Sequence, residues 1–428
     1  MTMTDKIEII NHALSFIKQN NACITVAHKK GGSGQPCVTD DKNQIVPFSI
    51  QNNEGDYVIP DTGCDFIPSD VIYGGMLCKH WGHFIINASI HLWYAVKHWK
   101  ESNLPIVFST PEKPEHRILD FLKLTGIPEN RFVFIMKPTR FKSVIIPEPS
   151  FVMEKGDLYI AEEFKIPFDA VKSTAKPSKY KKIYLSRRKF STPNSPLPYG
   201  EDVFEKLFKA NGYKIIYPER LSLQEQINLF SGAETVATTN GTLAHNVVLM
   251  NDRQRLIILN RAVDHHINAL QNSLNAIKHI ECHQSDAFYA PLPTHHGFGP
   301  FYFQVTQEMA AILSSLDTLP PPSLSTKNGI FDRFFEDWGR VYGNKENSAY
   351  KCLISLVGEN TEQAALVSRC ADCFISPNRF EKLLYKLLYE ASFGRLKNFF
   401  RFRWKGYKFN PTKQNIAYRD SLKDKIFS

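Results

Sequence analysis

Four polar positions in the first quarter of the chain, His80, His83, Asn87 and His91, are spaced 3, 4 and 4 residues apart. On a helix these intervals put all four on one face. An imidazole there is suited to taking a proton near neutral pH. The same face could instead satisfy backbone groups at an interface, and the residues alone leave both readings open. Gly74, Gly75 and Gly82 precede or interrupt the stretch and permit close approach of a ligand or another backbone. A second set lies between 182 and 250. Lys182-Ile183-Tyr184-Leu185-Ser186 reads as a short strand running into Arg187, Arg188 and Lys189. Ligands of doubly wound sheets bind beyond the carboxyl ends of strands, and two planar guanidinium forks there suit a diphosphate. A solvated basic turn is the competing reading. A third set, Ala237 to Asn246, ends a strand in small polar residues (Thr239, Asn240, Gly241, Thr242) and starts a helix. Such a junction turns backbone N–H groups and a positive dipole end toward a phosphate.

Other constellations are weaker. Cys370 and Cys373 form a lone C-x-x-C, without the second ligand pair a zinc site needs or the strand a redox motif follows, so both are expected as core thiols. His279, Cys282 and His283 fall on an expected strand over 278–283, where their side chains diverge. No essential metal is expected. Lys29 to Gly34 lacks the Lys-Ser/Thr ending of a phosphate loop and reads as a flexible turn.

The elements that must position these groups alternate. A helical pattern over 5–19 follows Thr4, and short β-like pieces fill 22–70. Then come a helix over 80–99, a strand at 105–109, a helix at 114–125, and strands at 131–136 and 143–147. The Pro-, Lys- and Ser-rich stretch 166–181 reads as a linker. Alternation restarts with strands at 182–186, 213–217, 234–238 and 255–259 and helices at 201–211 and 222–231. Helices are expected at 304–317, 331–341, 361–370 and 380–398. This pattern predicts an α/β fold with two doubly wound units. We divide the chain into an N-terminal α/β domain (1–170), a Rossmann-like domain (171–300) and a helical region with a basic aromatic tail (301–428).

With 428 residues, 43% of them hydrophobic, the chain can bury two ordinary cores. It holds no apolar run of spanning length. Eight scattered cysteines do not make a disulfide scaffold. The sequons at Asn87 and Asn240 fall among the candidate site residues, where a glycan would block access. A cytoplasmic setting is therefore expected. The net charge of +9 is a property of the tail: residues 379–428 hold 13 Lys or Arg against 4 Asp or Glu, and the remainder is neutral. Phe399 to Phe409 interleaves aromatics with cations. Over 395–428 this favours an anionic membrane surface at the inner face of the cytoplasmic membrane, with structural packing a close alternative and single-stranded nucleic acid a distant one.

Tyr184-Leu185-Ser186-Arg187-Arg188, Glu201, Gly212-Tyr213, Pro218-Glu219-Arg220-Leu221-Ser222, Leu223 to Ile227, Leu229-Phe230, Ala233 and the Asn240–Asn246 loop together resemble glycosyltransferase family 61, including its bacterial capsule and lipopolysaccharide members. The resemblance runs over about 180–260. It implies a GT-B fold and an inverting transfer from a nucleotide-sugar donor to a glycan or lipid-linked glycan, without an essential metal. By match, Arg187 would contact the donor phosphates beside Gly241, Thr242, His245 and Asn246, with Glu219 and Gln226 in matching segments; Arg188 and Asn240 join them as donor-side candidates. Many members have His-Gly-Ala-Gly where this chain has Asn240-Gly241-Thr242-Leu243, which leaves the donor's identity open. His83-Phe84 resembles the family's Gly-His-Phe segment and makes His83 the candidate base, with His80, Asn87 and His91 on the acceptor side. Several members carry an acid four residues after that His; here the position is Asn87. Two other classes remain: a GT-B-like module that binds nucleotide or glycan without turnover, and a nucleic-acid binder acting through the tail.

Overall fold

The computed structural model describes residues 6–27, 34–50, 56–60, 64–154, 157–190, 198–263, 265–316, 328–359, 361–391 and 407–427. Thr4, the Lys29–Ser33 turn and most of the aromatic tail segment lie outside these residues. In chain order the first strands are β1 (Ile7–Ile10), β2 (Phe16–Ile24), β3 (Val38–Thr39), β4 (Asp65–Met76), β5 (Ile106–Ser109), β6 (Phe132–Ile135), β7 (Thr139–Pro147), β8 (Phe151–Glu154) and β9 (Asp157–Ala161). Six of them form a mixed sheet in the order β3-β2-β7-β4-β5-β6. The strands β7, β4, β5 and β6 are parallel, and β2 pairs antiparallel with both β7 and β3. One face packs Ile72, Ile106 and Phe108 with helical residues Phe84, Ile85 and Phe121. The other packs Val71, Tyr73 and Val107 with Val26, Val38 and Val46. Among the described residues this sheet carries helices on one face, so the doubly wound expectation does not hold for it.

The helix expected over 5–19 is absent. Ile7–Ile10 pairs parallel with Leu158–Ala161, and Phe16–Ile24 runs along β7. Pairings across more than a hundred residues override a local helical spacing of isoleucines, whose β-branching suits a strand as well. The linker expected at 166–181 is also corrected. Ile166–Lys172 is a helix whose Pro167, Phe168 and Val171 are buried, and only the residues after it are irregular. Its proline sits in the first turn, where it initiates rather than breaks a helix.

The second half contributes β10 (Lys182–Leu185), β11 (Pro198–Tyr199), β12 (Lys214–Ile216), β13 (Thr235–Thr239), β14 (Arg255–Asn260), β15 (Glu281–Asp286), β16 (Phe301–Tyr302), β17 (Phe374–Ile375) and β18 (Lys408–Phe409). Five of these form an all-parallel sheet in the order β12-β10-β13-β14-β15. Side chains alternate across it, as strand geometry requires. Ile183, Leu185, Val236, Leu256 and Ile258 pack with the helices Leu223–Gly232 and His265–Ile277. Tyr184, Ala237, Ile257 and Leu259 pack with the helix Glu201–Ala210. This unit is doubly wound as expected. Leu223–Gly232 starts at a capping box, with Ser222 and Glu225 each accepting from the other's backbone N–H. The strand expected at 278–283 begins later, at Glu281, because His279 adopts a left-handed φ of 49° just after His265–Ile277, a helix that the sequence reading lacks.

One hydrophobic cluster runs from Ile72 and Phe84 through Ala244 and Val247 to Leu274, so helices of the first sheet and of the parallel sheet share a core. A separate aromatic core of Phe331, Phe334, Phe335, Trp338 and Tyr342 organises the C-terminal helices. Cys370 and Cys373 are buried in it. The tail expected at a membrane over 395–428 divides here. Lys413–Phe427 is a helix docked on this body: Leu422 is buried, Tyr289 Oη donates to its carbonyl at 2.5 Å, and Lys423 Nζ lies 3.2 Å from Asp332. Arg419 also meets Asp332, at 3.6 Å, so two cations of this helix are paired with an acid of the fold. No helix among the described residues is long and apolar enough to cross a membrane.

Candidate active site

Numbered from β10, the parallel sheet has the order 2-1-3-4-5, and its winding reverses between β10 and β13. A crevice opens at the carboxyl ends of the two strands flanking such a reversal. Arg187 follows β10 and Asn240-Gly241-Thr242 follows β13. Arg261, which the sequence reading did not single out, follows the next strand, β14. The rule that pointed to Arg187, a cation directly after a strand's carboxyl end, also describes Arg261.

Arg187 is half-buried, with its guanidinium 4.7 Å from the Phe190 ring centroid; Arg261 is buried, 4.4 Å from that of Phe301. Such stacking holds a guanidinium plane in place. Together with Phe190, Pro198, Phe301 and Phe303, the two cations line a small recess. Burial lowers both pKa values, that of Arg261 to about 9, with the charge of Arg187 pushing the same way. Both remain cations at neutral pH. Buried Arg261 Nε and Asn240 Nδ2 have no hydrogen-bond acceptor. Two like charges and two unpaired donors at one sheet edge call for an anion with several oxygens.

Glu201 supports this edge from below. It is fully buried; Oε1 accepts from the Arg187 N–H at 2.8 Å and the Tyr184 hydroxyl at 3.3 Å, while Oε2 is unpartnered. Burial pushes its carboxyl up to about 7. Arg188 departs from its expected role. Its Nε lies 2.9 Å from Glu205, whose other oxygen accepts from Ser186 Oγ at 2.7 Å. Its guanidinium is engaged by the helix Glu201–Ala210, leaving Arg187 as the strand-end cation lining the recess. Exposed Glu219 lies within electrostatic range of Arg187.

The loop after β13 is tight. Gly241 has φ 96°, and a Cβ there would lie 3.2 Å from the Arg261 guanidinium, so glycine is required. The helix that follows, Thr242–His245, is a single turn before a 3-10 segment. Its dipole is short, so the case for phosphate rests on the arginines rather than on the helix end expected from sequence. His245 is buried against Gln271 (Nδ1 to Oε1, 3.0 Å), and burial lowers its pKa to about 4. Asn246 is buried too, its Oδ1 accepting from Trp81 Nε1 at 2.8 Å and its amide donating to the Thr242 and Leu243 carbonyls. Both hold the loop in place.

Across from this loop stands the segment expected as a helix over 80–99. It is helical but irregular: a turn at Trp81–His83, a π-helical stretch Phe84–Ala88, a 3-10 turn Ser89–His91 and an α-helix Leu92–His98. The wide and narrow turns break the regular spacing and divide the histidine face. His80 and His83 are exposed with ring centroids 4.9 Å apart, and His83 Nδ1 lies 3.1 Å from Asn87 Oδ1. Partial burial, with the charges of His83 and Arg187, lowers the pKa of His80. His91 is instead buried, its Nε2 2.7 Å from the Phe48 carbonyl, with a pKa lowered to about 4. It is a packing residue and leaves the acceptor-side set. A Cβ on Gly82 would come within 2.7 Å of Thr242 Oγ1, so this segment lies directly against the loop.

Gln226 joins a bolt between the two halves. It is buried, its amide donating to the Pro218 and Leu221 carbonyls and its Oε1 accepting from Arg117 at 2.7 Å. Arg117 lies 4.4 Å over the Trp81 ring, and Trp81 bonds Asn246. Gln226 thus fixes the turn carrying Glu219. Among the described residues no group of three His, Cys, Asp or Glu could hold a metal ion, and His283 bonds Glu281 at 2.8 Å.

A doubly wound sheet with cations at its reversal and imidazoles facing them is the kind of site a group-transferring enzyme of the glycosyltransferase class can use. Residues 81–257 match the family model described as Glycosyltransferase 61. This match supports assigning the chain to glycosyltransferase family 61, and the chain is a glycosyltransferase. The match begins at Trp81 and ends within β14, before Arg261. None of the curated proteins compared matches the chain.

Proposed function

We propose that this glycosyltransferase is an inverting enzyme of the GT-B type. It takes a sugar from a nucleotide-sugar donor to a glycan or lipid-linked glycan of a surface polysaccharide, in the cytoplasm. The observation that carries the reading is the pair Arg187 and Arg261 at the carboxyl edge of the parallel sheet, with unpartnered Arg261 Nε and Asn240 Nδ2 beside them. A donor diphosphate supplies the oxygens these groups lack, and their charge stabilises it as it leaves. The surface-polysaccharide setting rests on the resemblance to capsule and lipopolysaccharide members.

His83 is the proposed base. Asn87 Oδ1, accepting from Nδ1–H, leaves Nε2 with its lone pair. As the acceptor hydroxyl attacks the anomeric carbon, its proton passes to Nε2. The bond from that carbon to the diphosphate breaks, and its electron pair leaves with the phosphate. Asn87 orients the ring without the charge of a carboxylate. The chain's own cations neutralise the leaving group, so no metal enters this scheme.

A thermal-shift panel of nucleotide sugars, followed by transfer assays in excess EDTA, tests the proposal. We expect at least one donor to raise the melting temperature by mass action and transfer to persist with chelator. Transfer abolished by EDTA and restored by magnesium or manganese would overturn it.

A further inference from the structure

The helix Arg379–Ala391 turns its leucines the wrong way for a core. Leu383, Leu384, Leu387 and Leu388 are 56, 43, 55 and 36% exposed, and their spacing puts them on one stripe. Ile375, just ahead of the helix, is also exposed. By contrast, the helix Asn328–Tyr342 of the same body buries Phe334, Phe335 and Trp338 completely. The stripe is flanked by charge. Lys382 and Lys386 are exposed, and the two acids of the helix are matched, Glu381 by Lys408 at 2.7 Å and Glu390 by Lys386 at 3.9 Å. From 379 to 408 the sequence holds nine Lys or Arg against two acids.

We propose that the helix Arg379–Ala391 docks the protein onto an anionic lipid surface, with its leucine stripe at the acyl boundary and its cations among the headgroups. Thirteen residues are too few to span a bilayer, so the helix lies in the interface plane. A second copy of this chain fits the stripe less well, because it would bring the same excess of positive charge against itself. The surface is also distinct from the helix Lys413–Phe427, which packs on the fold through Leu422 and Lys423. The inference goes beyond the proposed reaction and does not depend on the donor recess.

The test is cosedimentation of the full chain with phosphatidylcholine vesicles, with and without about one-third phosphatidylglycerol, a content chosen to give a clearly negative surface. The parent should bind the anionic vesicles far better than the neutral ones. Leu383→Ser with Leu387→Ser, which leaves the charge unchanged, should lower the partition about tenfold or more. Lys382→Gln with Lys386→Gln should lower it roughly tenfold at low salt, with the difference fading as salt rises. Nucleotide affinity should stay at the parent value in both variants. Hydrogen exchange on the parent should show vesicle-dependent protection over 379–391. Three results would each overturn the proposal. These are a parent that ignores anionic vesicles, a leucine variant that binds them as the parent does, and light scattering that shows a parent dimer dispersed by the leucine substitutions.

Discussion

The cations at the edge of the parallel sheet and those of the C-terminal helix differ in what faces them. Arg419 lies 3.0 Å from Asp420 and 3.6 Å from Asp332, and Lys423 shares Asp332. Among the described residues no carboxylate is in salt-bridge contact with buried Arg261 or with Arg187; Glu201 acts on both, and Glu219 on Arg187, only through more distant fields. Yet the excess charge of the chain lies in its last fifty residues, and the segment holding Arg187 and Arg261 is neutral in sum. Charge that is counted along a sequence and charge that is available to a ligand are therefore different quantities. Burial and the absence of a partner decide the second.

If the chemistry sits at the sheet edge and the segment facing it, His83→Ala should reduce turnover about 10²–10⁴-fold with donor binding nearly intact. His91→Ala should act through stability alone. Equal losses from both, in proportion to the drop in melting temperature, would reduce His83 to a packing role. Next in size, Arg187→Ala and Arg261→Ala should each weaken nucleotide binding by about 1.5–3 kcal/mol, the range for hydrogen bonds to charged groups. Calorimetric titration reads this, and unchanged affinity in folded variants would sink the donor assignment.

The buried groups also set a pH dependence with opposing signs. Glu201 is held up to about 7 against an ordinary 4.5, so the native state keeps a proton that the unfolded chain releases between those values. Its contribution to stability falls as pH rises through that window. His91 and His245 are held down to about 4 against 6.5. Their contribution is intact above 6.5 and lost as pH falls toward 4. Thermal melts across pH 4–8 should show Glu201→Gln gaining on the parent as pH rises; parallel curves would mean that Glu201 does not titrate there. The smallest effect belongs to the other side of the comparison. Arg419→Gln with Lys423→Gln should cost about 1 kcal/mol of stability or less, as partly exposed pairs do. Nucleotide affinity should not move. A weakened donor affinity would bring the tail into the site after all.

Much of the second unit was legible because its strands are short apolar runs, closed by turn residues and separated by amphipathic helices. β10, β12, β13 and β14 lie within a residue or so of their expected limits. Strand order was not legible, and with it went the reversal that makes Arg187, Asn240 and Arg261 neighbours. Arg261 follows the carboxyl end of β14 while Arg255 opens that strand and pairs with Glu281 in solvent, but which strand ends flank the crevice depends on the strand order. The first unit was read less well because its pairings are long-range: β1 looks helical until β9 stands beside it. The histidine spacing misled for a different reason. It assumes an even 3.6-residue turn, and Phe84–Ala88 does not have one.

The bolt from Gln226 through Arg117 and Trp81 to Asn246 bears on how such enzymes can be recombined. Its four members come from four separate stretches of the chain, and two of them precede the parallel sheet. A graft of residues 180–260 into a relative would carry Gln226 and Asn246 and leave Arg117 and Trp81 behind. The transplanted loop would then rest on a foreign indole or on none. Chimeras cut just upstream of Trp81 keep the bolt whole, and the family match starts at that same residue.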